Sequence, residues 1–76
     1  MKELVIFMAK SLVSNPDDVR VEEVASENMI TYKLSVNKED MGKVIGKQGK
    51  IAHALRTILK SAATKTETKV MLEIVD

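Results

Sequence analysis

Gly42-Lys43-Val44-Ile45-Gly46-Lys47-Gln48-Gly49-Lys50 is the stretch on which the reading of this 76-residue chain turns. It holds all three glycines of the protein and three of its lysines. The apolar pair Val44-Ile45 runs into a Gly-x-x-Gly whose middle residues are Lys47 and Gln48. Glycine lets a ligand approach the main chain closely, and lysine supplies a mobile positive charge. A loop that gathers both is suited to holding a phosphate chain.

Other glycine-rich loops fail on spacing. A P-loop has four residues between its glycines, then Lys and Ser or Thr; here three residues separate Gly42 from Gly46, and Lys47 is followed by Gln48. A dinucleotide fingerprint follows directly on a strand, whereas Gly42 lies in a helical stretch. The glycine spacing of membrane helix pairs needs a long apolar span, which the sequence lacks. A helix–turn–helix remains, with Gly46 and Gly49 bracketing a two-residue turn. The start of its second helix presents unpaired N–H groups and the positive end of the helix dipole. A plain turn with two convenient glycines and solvated lysines would use the same residues. The whole string Val-Ile-Gly-Lys-Gln-Gly-Lys, placed between two helices after a hairpin, favours the phosphate-holding reading.

Outward from the loop, Ile30, Tyr32, Leu34 and Val36 alternate with Met29, Thr31, Lys33 and Ser35, the clearest strand pattern in the chain. Val19, Val21 and Val24 among charged residues predict an edge strand, and Ser26-Glu27-Asn28 a turn, so the two strands form an antiparallel hairpin. Leu4, Val5, Met8, Ala9, Leu12 and Val13, with Ile6 and Phe7 widening the stripe, predict a helix over 2–13 that ends before Pro16. Asn37 is placed to cap a helix from Lys38, with Asp40 in a capping-box-like position. Met41, Val44 and Ile45 form its apolar face and Gly46 stops it. A further helix starts near Gly49 and runs to about Ala63 on Ile51, Leu55, Ile58, Leu59 and Ala62. Residues 64–68 read as a loop, and Val70, Leu72 and Ile74 as a final strand. The order is α-β-β-α-α-β. The helices between the last two strands permit a right-handed parallel crossover. The expectation is an α+β fold, a three-stranded mixed sheet with three helices on one face, filling one domain over residues 1–76.

Composition narrows the function. Net charge is +1, but residues 38–60 hold six basic and two acidic side chains, a local +4, and the other fifty-three hold six basic and nine acidic, or −3. A basic segment on a near-neutral body fits a phosphate-binding surface. There is no cysteine and one histidine, so disulfides and thiolate metal sites are excluded and no metal or other cofactor is expected. Leu4–Ala9 is too short for a signal peptide and no run reaches the length of a membrane span, so a cytoplasmic, non-membrane protein is expected. With no Ser–His–Asp set or paired carboxylates, and a lone His53, an enzyme is the poorest reading. One Tyr and one Phe exclude a platform of stacked aromatics.

The element order and the loop together resemble a type II KH domain, most closely the small bacterial single-KH RNA-binding proteins of the KhpA family. The resemblance runs from Lys10-Ser11-Leu12-Val13 and Asn15-Pro16 through the chain and is most specific over 42–59. It implies that Ile45, Gly46, Lys47, Gln48 and Gly49 are the I-G-x-x-G element and that about four unpaired nucleotides lie between this loop, its helices and the adjacent strand. Lys43 and Lys50 flank the loop and are expected at the RNA backbone; Arg56, about two turns into the second helix, either reaches that backbone or is solvated helix surface. Ile45 serves either as core or as an apolar floor under a base. Tyr32 is read as a packed strand residue, His53 as an exposed bystander and the five methionines as core fillers. The implied function is a non-catalytic binder of single-stranded RNA, acting as an RNA chaperone or post-transcriptional regulator. A second implied role is a dimerisation module, self-associating or pairing with a larger KH-containing RNA-binding protein.

Overall fold

The computed structural model describes residues 1–64 and 68–75. Its elements are α1 (Lys2–Leu12), β1 (Arg20–Ala25), β2 (Met29–Ser35), α2 (Met41–Ile45), α3 (Lys50–Ala62) and β3 (Lys69–Val75). Single 3-10 turns occupy Pro16–Asp18, Lys38–Asp40 and Lys47–Gly49. The sheet order is β1-β2-β3, with β2 antiparallel to β1 and parallel to β3. This is the α+β architecture and element order expected from the sequence. Of the loop expected over 64–68, residues 65–67 lie outside the described residues.

Alternation on β2 decides which sheet face is buried. Tyr32 and Leu34 are buried, and their register partners Val21 on β1 and Leu72 and Ile74 on β3 share that face. Successive strand residues point to opposite sides, so Thr31, Lys33 and Ser35 take the open face. Val5 and Ala9 of α1 and Leu55 and Leu59 of α3 close over the buried side, forming one cluster with Tyr32, Leu34 and Leu72. Each such leucine contributes about 1.5–3 kcal/mol by leaving water. The short α2 packs on α1 and α3 and places Val44 in the interior.

The turn between β1 and β2 forms where it was expected, closed by Ser26 N–H to the Met29 carbonyl at 2.8 Å. Three expectations are corrected. Phe7 does not widen the buried stripe of α1; it is 71% exposed, because Val5 and Ala9 set the buried direction and Phe7 falls between them on the opposite side. No methionine belongs to the buried core: Met8 packs against it, and Met71 is exposed on the open face. Asn37 does cap, accepting the Glu39 N–H at 2.9 Å, but it caps a 3-10 turn, and the Asp40 carboxylate does not return to it.

Candidate nucleic-acid interface

The chain that leads into the glycine loop is tied down by one buried carboxylate. Asp40 has no exposed surface. Its Oδ1 accepts the Ser14 N–H at 3.1 Å, and its Oδ2 accepts the Asn15 N–H and the Asn15 side-chain amide, each at 3.0 Å. The Lys43 ammonium stands 3.3 Å from Oδ1 and also donates to the Ser14 hydroxyl. Burial pushes the Asp40 carboxyl up, but the amides of Ser14 and Asn15 and the Lys43 ammonium outweigh it and hold the group below its ordinary value. A second tie runs from the Asn37 amide to Asp18 at 2.8 Å. The connection between α1 and β1 is thereby strapped to the start of α2. A five-residue helix is too short to stand on its own propensity, so these bonds and buried Val44 fix its direction.

At the end of α2 the chain turns sharply. The Gly46 N–H closes the last turn onto the Gly42 carbonyl at 2.9 Å, and Gly46 then takes φ 76°, ψ 175°. A Cβ there would lie 2.6 Å from Cγ1 of Ile51, the first apolar residue of α3. Gly46 is therefore required twice, for its backbone angles and for close packing on α3. Gln48 and Gly49 both adopt left-handed angles, φ 57° and φ 75°, although a Cβ on Gly49 would meet nothing within 4 Å. The two left-handed residues reverse the chain into α3 and leave Lys47 and Gln48 exposed at the tip.

The candidate residues then fall into three places. Lys47, Gln48, Gly49 and Lys50 form the tip and the start of α3, and Lys50 is exposed there. Ile45 is 37% exposed at the end of α2, so it is no core residue and offers an apolar surface beside Gly46. Lys43 lies one turn back with its ammonium already paired to Asp40. Arg56 lies on the flank of α3 that faces β3, where its Nε–H donates to the Leu72 carbonyl at 3.1 Å. Gly49, His53, Arg56 and Lys60 follow one another at helical spacing along that flank. The row ends at a cleft of about 280 Å³ between α3 and β3, lined by Arg56, Lys60, Leu59, Val70 and Leu72 among others.

Sequence reasoning missed Asp40 and the cleft residue Lys60. Asp40 could not be found locally, because its partners lie 25 and 26 residues away. Lys60 belonged to the basic segment, and its four-residue spacing from Arg56 was the available signal. Among the described residues no group of three or more His, Asp or Glu side chains is arranged to hold a metal ion. No described helix is long and apolar enough to cross a membrane.

Residues 2–74 match the family described as KhpA/KhpB, KH domain. The chain is 59% identical over 75 residues to the RNA-binding protein KhpA of Clostridium perfringens, covering 99% of this chain and 100% of that protein. It is 51% identical over 76 residues to the RNA-binding protein KhpA of Halalkalibacterium halodurans, with both chains covered completely. The RNA-binding protein KhpA of Listeria monocytogenes is 47% identical over 76 residues, again with full coverage of both.

Proposed function

The chain belongs to the KhpA/KhpB KH-domain family, and on that premise we propose that it is a non-catalytic protein that clamps single-stranded RNA. The observation that carries this reading is the loop Gly46-Lys47-Gln48-Gly49, which opens the main chain at the start of α3 and holds Lys47 in solvent. A phosphate approaching the tip meets no Cβ at Gly49, the first N–H groups of α3, and the ammonium groups of Lys47 and Lys50. About four nucleotides follow the flank of α3 toward β3, with Ile45 beneath a base and Arg56 within reach of the RNA. Lys43 contributes less, since Asp40 already neutralises its charge. A domain of this size with few aromatic side chains binds weakly alone, which suits an RNA chaperone or post-transcriptional regulator acting over many transcripts.

Replacing Lys47 and Gln48 with Asp tests the clamp. Crosslinking to a labelled single-stranded RNA should be lost, while the circular dichroism spectrum and melting midpoint stay near those of the unaltered protein. Survival of RNA binding would remove the loop from the site.

Pairing with a second KH chain, of the same or a larger protein, is the other role proposed. It is favoured by Ile58, 46% exposed on the flank of α3 opposite Arg56, where a partner would leave the cleft open. Such pairing raises avidity for RNA without new contacts to it. Sedimentation of the Ile58→Asp variant should give a lighter species than the unaltered protein; identical behaviour would discard this surface.

A further inference from the structure

The geometry points to Arg56 as a base-selecting residue: the cleft between α3 and β3 takes one base of the RNA, and the Arg56 guanidinium reads its edge, preferring guanine to adenine. The inference rests on the single-stranded RNA reading above. Among the described residues β3 is an edge strand, paired with β2 alone. Carbonyls on the free side of such a strand are acceptors open to any amino group. The Leu72 carbonyl is not open, because the Arg56 Nε–H occupies it at 3.1 Å. The same bond restrains the guanidinium and leaves its two Nη groups, with four N–H donors, for a ligand in the cleft that Arg56 lines. No other hydrogen bond or ion pair of Arg56 occurs among the described residues.

The Lys60 ammonium adds a further donor one turn along α3; Met71 and Glu73 of β3 also line the cleft, and strand alternation turns these two exposed side chains to the sheet face opposite buried Leu72. Leu59, Val70 and Leu72 supply apolar walls for the faces of a base. Guanine places two acceptors, O6 and N7, side by side, and a guanidinium meets both at once. Adenine sets an amino group where guanine has O6, so a donor faces a donor. Lysine cannot reproduce the paired contact, since its ammonium is a point charge. Arg56 lies roughly 10 Å along the helix axis from Gly49, so the base it reads belongs to RNA that the loop already holds by its phosphates.

The test is fluorescence anisotropy with the whole chain and labelled hexanucleotides of uridine carrying one internal guanosine, adenosine or 7-deazaguanosine. The guanosine oligomer should bind about tenfold more tightly than the adenosine one, as expected for a single bidentate contact. Removing N7 in 7-deazaguanosine should erase most of that gap on the unaltered protein. Arg56→Lys should bring the guanosine-to-adenosine ratio near one with an unchanged melting midpoint, whereas Lys60→Gln should weaken all oligomers alike and keep the ratio. Equal affinity for guanosine and adenosine, or full preference retained with 7-deazaguanosine, overturns base selection. If the oligomers bind equally and Lys47→Asp/Gln48→Asp abolishes binding, the clamp stands and only the base reader falls. If no oligomer binds at all, both readings fall together.

Discussion

Gly46 and Gly49 look equivalent in the motif, yet the structure asks different things of them. At Gly46 a side chain would have to enter a backbone region that glycine alone occupies and would also strike Ile51 at 2.6 Å. The backbone strain costs on the order of 1–3 kcal/mol, and overpacking against α3 costs about as much again. At Gly49 only the left-handed angle matters, a cost of about 1–2 kcal/mol, and the space around it is open. Gly46→Ala should therefore lower stability to urea by several kcal/mol, a large share of what a 76-residue domain possesses. Gly49→Ala should cost about 1 kcal/mol, and Gly49→Asn less, because Asn tolerates left-handed angles. Urea melts of the three variants separate these cases, and equal losses at Gly46 and Gly49 would show that Ile51 does not press on the turn. Such a melt also separates fold from binding: a Gly49→Asn variant that folds but binds poorly would place the main-chain approach of the phosphate at Gly49.

At the scale of elements, the strap on Asp40 joins the end of α1 to the start of α2, and it titrates. A carboxyl held below its ordinary value stabilises the fold above the unfolded value near 3.9, and that contribution is lost as pH falls through the folded value. The native protein should thus lose stability below about pH 4. Asp40→Asn should melt earlier at pH 7, since its amide confronts the Ser14 and Asn15 N–H groups with donors, and it should show a shallower decline on acidification. Thermal melts at pH 7 and pH 3 check both points; parallel curves for the two proteins would mean that the strap is not the titrating element. This strap also marks the boundary of what the sequence made legible. Strand β2, helix α3 and the turn at 26–28 could be read directly, because each is written in a local period or a local composition. The loop 46–49 was legible for the same reason: its glycines are local requirements of backbone angle. Asp40 was misread as part of a capping box, because its real partners come from the other end of the α1–β1 connection. Phe7 was misplaced because a helix this apolar has two candidate faces, and only packing against the sheet chooses between them. The bond from Arg56 to Leu72 joins a helix to a strand sixteen residues away, and no local pattern announces it.

For the whole molecule, net charge is a poor guide and the placement of charge a good one. The protein carries +1 overall, yet Lys47, Lys50, Arg56 and Lys60 follow the loop and the outer part of α3, while Glu22 and Glu23 sit on β1 at the far edge of the sheet from β3. Binding to single-stranded RNA releases counterions only from phosphates that meet a cation, at a slope of about −0.7 in log K against log salt for each. With three or four cations engaged, the slope should be about −2 to −3, so raising salt from about 50 to 200 mM should weaken binding roughly 15- to 50-fold. The double variant Lys50→Gln/Lys60→Gln should flatten the slope by about 1.4. Glu22→Gln/Glu23→Gln changes net charge by the same amount in the opposite direction, but it lies outside the proposed contact and should leave the slope where it was. Anisotropy titrations across a salt series decide the matter. Equal and opposite shifts in the two double variants would mean that the RNA responds to the field of the entire protein, and the flank of α3 would lose its standing as the binding surface. A slope that moves only with the lysines fixes the path of the RNA backbone along α3.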